Sequence, residues 1–193
     1  MTGRTHDAAA LTFLLVAAAY APPQSLTLGT ALLALLANQI GGITPDIDQP
    51  TAPFWNNLPA EGLLGKVFDK LVGGHRFITH SIVGLLIFAW LSRWLLNFIH
   101  PLIPTANTTI IWYAFLLGLF SHLVMDTFTK EGVPWLLPLP YKFGFPPAKS
   151  LRITTGRAVE SFIIFPALIA LDVWLISIHY HAIITYIHLH LHS

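Results

Sequence analysis

The chain has 193 residues, 54% of them hydrophobic and only 10% charged, with a mean hydropathy of +0.65. Soluble domains carry about 25% charged residues, so the composition excludes an ordinary water-soluble protein, and the length suggests one membrane-embedded domain over residues 1–193. The lack of cysteine excludes disulfides, thiolate zinc sites and cysteine nucleophiles, and a net charge of +1 gives no sign of nucleic-acid binding.

Five apolar segments follow in chain order: Ala8–Ala21, Leu26–Thr44, Phe77–Ile99, Thr109–Phe128 and Ala158–Tyr180. A bilayer needs about 20 helical residues, which the last three supply and the second, carrying Asn38 and Gln39, nearly does. The first is about 21 Å long as a helix, and Pro22-Pro23 ends it in a tight hairpin. Arg4, this apolar stretch and Ala19-Tyr20-Ala21 also resemble a signal peptide, but cleavage would discard His6 and leave Pro22 just after the cut. The expected fold is therefore all-α: a polytopic bundle of about five transmembrane helices.

The loop Pro45–Arg76 contains an expected amphipathic helix over Glu61–Val72, apolar at helical spacing against Lys66, Asp69 and Lys70. The loop Lys130–Gly156, rich in Pro, aromatic residues and Lys, has the composition of an interfacial segment. The tail His188–His192 alternates His and Leu and reads as a frayed interfacial end, not a metal site. With five spans, nine of the ten Lys and Arg fall in the N-terminal tail and the two long loops. The positive-inside rule then puts the N-terminus and those loops in the cytoplasm.

That same end gathers eight possible metal ligands: His6, Asp46, Asp48, His75, His80, His122, Asp126 and Glu160. Ionisable groups at a membrane are costly unless something pairs with them, and a metal is an economical partner for so many. Asp46 and Asp48 follow Pro45, which is expected to stop the second helix, and both can turn inward only from a turn or extended backbone. His75 and His80 flank Arg76 among hydroxyl residues, and Arg76 suits an anionic substrate oxygen. His122 and Asp126, at i and i+4, share a helical face. Glu160 opens the last span, either as ligand or as a helix-dipole partner.

Thr5-His6, the run Pro45–Pro50, the run His75–Ser81 and the run Ser121–Pro134 together resemble the YdjM-like family of bacterial inner-membrane metal-dependent hydrolases. Phe77-Ile78 departs from the family's Gly-Phe at that point. The resemblance implies hydrolase activity, an inner-membrane location and a cytoplasmic regulator, the LexA repressor, as partner.

So many donors exceed what one four-coordinate zinc requires. Two divalent ions about 3.5–4 Å apart, zinc or manganese, fit better and would activate water against a phosphoryl or acyl group. The expected ligands are His6, Asp46, Asp48, His80, His122, Asp126 and Glu160, with His75 or Asp46 as general base and Arg76 assisting. The expected substrate is a lipid or amphiphilic ester or phosphoester entering from the bilayer, and no G-x-S-x-G elbow supports a serine lipase. A divalent-cation transporter and a scaffold with a structural metal are the other readings. Finally, Arg93 and Asp172 lie at similar depths in the third and fifth spans and are expected to pair.

Overall fold

The protein is described by a computed structural model over residues 1–24, 26–48, 78–139 and 141–191. The expected helix Glu61–Val72, and with it His75 and Arg76, lies outside the described residues. Those described form six α-helices: α1 (Gly3–Tyr20), α2 (Leu28–Ile43), α3 (Ile82–Ile99), α4 (Thr108–Thr127), α5 (Phe165–Ile178) and α6 (Tyr180–Leu191). Four stretches are long and apolar enough to cross a membrane: Leu28–Asp48, Ile82–Leu102, Thr108–Thr127 and Glu160–Ile178. The first predicted span does not join that set. It is instead a helix of 18 residues packed against α2, α4 and α5.

Local sequence fixes most boundaries. Thr27, Ser81 and Asn107 cap α2, α3 and α4 by accepting hydrogen bonds from the backbone N–H groups of Thr30, Gly84, and both Thr109 and Ile110. Ser81 starts α3 at Ile82, five residues later than the apolar run suggests, which leaves His80 in a turn before the helix. Pro45 does not stop α2 outright. The chain tightens into a 3₁₀ turn over Thr44–Asp48, where a proline without an N–H is tolerated near the start. The fifth span opens with a π-helical turn, Glu160–Ile164, just before Pro166. The tail is helical to Leu191, and the Tyr186 hydroxyl donates to the Leu26 carbonyl.

α4 is the central helix. On α2 it packs through glycine: a Cβ at Gly118 would lie 2.0 Å from the Asn38 carbonyl oxygen, and one at Gly41 2.1 Å from that of Phe115. Small residues let two membrane helices approach to backbone contact, and the Asn38 amide donates to the Ala114 carbonyl across the same seam. α1 adds its own small face, Ala8, Ala9 and Ala10, all buried. Residue pairing makes α2 and α4 parallel, α1 antiparallel to α2, and α3 antiparallel to α4. The starts of α1, α3 and α5 and the ends of α2 and α4 therefore meet at one end.

Arg93 and Asp172 do not pair. Arg93 donates to the Thr109 hydroxyl at 3.3 Å and lies over the Trp112 ring, both on α4. Asp172 is buried and accepts from the Thr12 hydroxyl of α1 at 2.6 Å. Equal depth could not reveal that α1, not α3, packs beside α5. Arg93→Leu and Asp172→Leu should accordingly have additive effects on the stability of the solubilised protein. Thr12→Val and Asp172→Leu should instead couple by about 0.5–3 kcal/mol in a double-mutant cycle.

Candidate metal centre

Five of the predicted ligands converge. His6 comes from the first turns of α1, Asp46 from the 3₁₀ turn, His80 from the turn before α3, and His122 and Asp126 from the last turns of α4. They form two overlapping groups, His6–His122–Asp126 and Asp46–His80–His122, with the ligand atoms of each group within 4.8 Å of one another. His80 Nε2 lies 3.2 Å from His122 Nε2. Asp46 Oδ1 is 3.6 Å from the first and 3.5 Å from the second. Asp126 turns Oδ2 toward His80 and His122, at 3.6 and 3.7 Å, and Oδ1 toward His6 Nε2, at 3.4 Å. The Met1 amino group also donates to Asp126 Oδ1.

Four of the five side chains are fully enclosed, while the Asp46 side chain is 25% exposed and gives the cluster its open side. His122 has its tautomer set by Nδ1–H donating to the Gly42 carbonyl at 2.7 Å, so its Nε2 lone pair faces the cluster. His80 is set by a longer relay: the Thr79 hydroxyl donates to Asp48 Oδ2, and its oxygen lies 3.0 Å from His80 Nδ1. Gly84 makes this turn possible, because a Cβ there would meet the Ile78 carbonyl oxygen at 2.2 Å.

Burial alone would lower the His80 imidazole's affinity for protons, but Asp126, Asp46 and Asp48 around it push its pKa above the ordinary value. A divalent ion bound at these ligands would compete with protonation of His80. The residues fit a metal on a second observation. His6 is 1% exposed, and neither of its ring nitrogens has a hydrogen-bond partner among the described residues. A buried imidazole left so costs stability unless an ion takes its lone pair.

Two predicted ligands are placed differently. Asp48 stands behind His80, on the Nδ1 side, at 3.6 Å. Asp46 and Asp48 face apart because residues two apart in a 3₁₀ turn point about 120° from each other around its axis. Glu160 accepts four hydrogen bonds, from the Thr2 N–H, the Thr2 and Thr5 hydroxyls and the Gly156 N–H, and belongs to neither group. It ties the start of α1 to the start of α5. His75 and Arg76 lie outside the described residues. The roles of Thr2, Thr5 and Thr79 escape sequence reasoning, although Thr5 and Thr79 stand in the quoted motifs beside His6 and His80.

YvsG of Bacillus subtilis (strain 168) is 26% identical over 164 residues, covering 85% of this chain and 88% of that protein. The inner membrane proteins YdjM of Escherichia coli (strain K12) and of Shigella flexneri are each 31% identical over 136 residues. Those matches cover 69% of this chain and 61% of each relative, less than two thirds of their length. No solved structure matches. Residues 1–191 match the family described as YdjM inner membrane protein, and the chain belongs to that family.

Proposed function

We propose that this protein is an integral inner-membrane, metal-dependent hydrolase. His6, Asp46, His80, His122 and Asp126 hold two divalent ions, zinc or manganese, and the substrate is a lipid or amphiphilic ester or phosphoester. The observation that carries this reading is the convergence of those five side chains at one end of the apolar helices, with Asp46 alone partly open. The partial exposure of Asp46 offers water a route to the cluster, which a catalytic centre with an open coordination position needs. Bound divalent ions would supply Lewis-acid polarisation and stabilise charge developing on a phosphoryl or acyl group.

The chain's own residues do the rest. Gly42 and Thr79 hold two imidazoles with Nε2 inward, Asp126 spans both sides of the cluster, and Asp46 at the opening is placed to accept a proton from water. The distribution of Lys and Arg supports a cytoplasmic position for this end, where an amphiphile can approach along the bilayer surface. Because the chain has no cysteine, Ser150→Cys and Thr105→Cys give clean single labels. Thr105→Cys should react with an impermeant thiol reagent from outside and Ser150→Cys only from the cytoplasmic side. The reverse pattern would overturn the orientation, and labelling of both from one side would sink the five-span topology.

The functional test is metal analysis of the purified protein, then assays on lipid phosphoesters and esters. Turnover should require a divalent ion, stop on chelation and fall by about 10²–10⁴ in Asp46→Asn. Metal-loaded protein that turns over none of these would leave a structural centre, as in a scaffold for a cytoplasmic regulator.

A further inference from the structure

Resting on that metal-centre reading, we propose that the two ion positions are unequal. Asp46, His80 and His122 form a tight, pre-oriented position, and His6 with the outer oxygen of Asp126 forms a second, exchangeable one.

His122 can serve only one ion. Its Nδ1–H is committed to the Gly42 carbonyl, which leaves a single lone pair on Nε2 for two groups that both include it. Ring geometry separates those groups. An imidazole lone pair lies in the ring plane, so a ligated ion sits near that plane, about 2.0–2.1 Å from nitrogen for zinc. The His6 and His122 rings are stacked, with centroids 3.6 Å apart and planes only 10° from parallel. An ion in the plane of one is therefore about a ring spacing out of the plane of the other. The two histidines fit two ions separated by roughly that spacing, which is the 3.5–4 Å, approximately, of two-metal centres. His80 and His122 behave in the opposite way. Their planes cross at 69° and their Nε2 atoms approach to 3.2 Å, so both lone pairs can reach one point, beside Asp46 Oδ1. Asp126, with one oxygen on each side, is the bridge.

The two positions also differ in how their ligands are held. Both imidazoles of the first are oriented from behind, His122 by a backbone carbonyl and His80 by the Thr79–Asp48 relay. His6 has its stack and a 3.4 Å approach of Nε2 to Asp126 Oδ1, but no hydrogen bond on either nitrogen among the described residues fixes its ring from behind. A ligand that is not pre-oriented must be ordered when the ion binds, and that lowers affinity. Asp48 and Thr79 are then positioning residues of the tight position.

Metal-stripped protein in detergent is titrated with Zn²⁺ by calorimetry and with Co²⁺ by absorption spectroscopy, and each variant is first checked for retained helicity and monodispersity. Two steps should appear, separated by at least about tenfold in affinity. His6→Ala should remove the weaker step and keep the tighter one with its Co²⁺ spectrum. Asp48→Asn and Thr79→Val should each weaken the tighter step by about 10–100-fold and spare the weaker one, as outer partners of ligands do. Two equal steps, one step only, or loss of the tighter step in His6→Ala would overturn the inequality while leaving the metal centre in place. No binding of either ion would overturn the centre itself.

Discussion

His122→Ala should strip metal from the centre. It removes the lone pair on which the two ligand groups overlap, a ligand of the tighter position, and the ring against which His6 stacks. Loss of an outer partner already costs up to about 100-fold in metal affinity, so loss of this ligand should exceed that. The purified variant should carry little or no divalent metal by elemental analysis. Its melting temperature should fall and lose its dependence on added metal. In the parent protein, metal at 100 times its dissociation constant would add about 2.7 kcal/mol to stability, and a chelator should remove that increment. Metal content equal to the parent's, with the fold retained, would make the His6–His122–His80 arrangement a hydrogen-bonded and stacked core without an ion.

Gly118→Leu should be the most destabilising substitution away from the centre. By intrinsic propensity alone, replacing glycine inside a helix helps by about 1 kcal/mol, so a neutral environment would give a more stable protein. The environment is not neutral. A Cβ at this position would meet the Asn38 carbonyl oxygen at 2.0 Å and the Gly42 nitrogen at 2.8 Å, and both are backbone atoms that cannot swing aside. α2 must then move off α4, breaking the Asn38–Ala114 hydrogen bond and pulling the Gly42 carbonyl from His122. Overpacking typically costs about 1–3 kcal/mol, and clash with backbone belongs at or above the top of that range. Thermal unfolding in detergent should show the loss, and metal content should fall with it. Gly29→Ala, with nothing within 4 Å of its Cβ position, is the control and should leave stability unchanged or slightly raised. If Gly118→Leu melts like the parent, the close α2–α4 crossing is wrong.

The amino-acid sequence by itself determined the class of the protein and the end at which its His/Asp cluster sits. Apolar run length and charge placement are local properties. A stretch such as Thr108–Thr127 is helical and membrane-length whatever packs beside it, and His6, Asp46, His80, His122 and Asp126 all stand at ends of such stretches that alternation brings together. Ser81 and Asn107 are equally local, and each fixes a helix start by its own side chain.

What only the tertiary structure decided is how each helix is rotated about its axis and which helix lies next to it. Residue spacing fixes relative angles along one helix but carries no information about its neighbour's rotation. Thus equal depth suggested Arg93 for Asp172, whereas the packing of α1 beside α5 delivers Thr12. Two aspartates two apart looked like twin ligands, whereas the 3₁₀ turn sends Asp46 to the cluster and Asp48 behind His80. Glu160 stood at the right end, yet the threonines of α1 fill its oxygens with hydrogen bonds. The contact that sets the rotation of α2 on α4 is made by Gly41 and Gly118, residues whose role lies in a missing side chain and shows only once another backbone occupies the space.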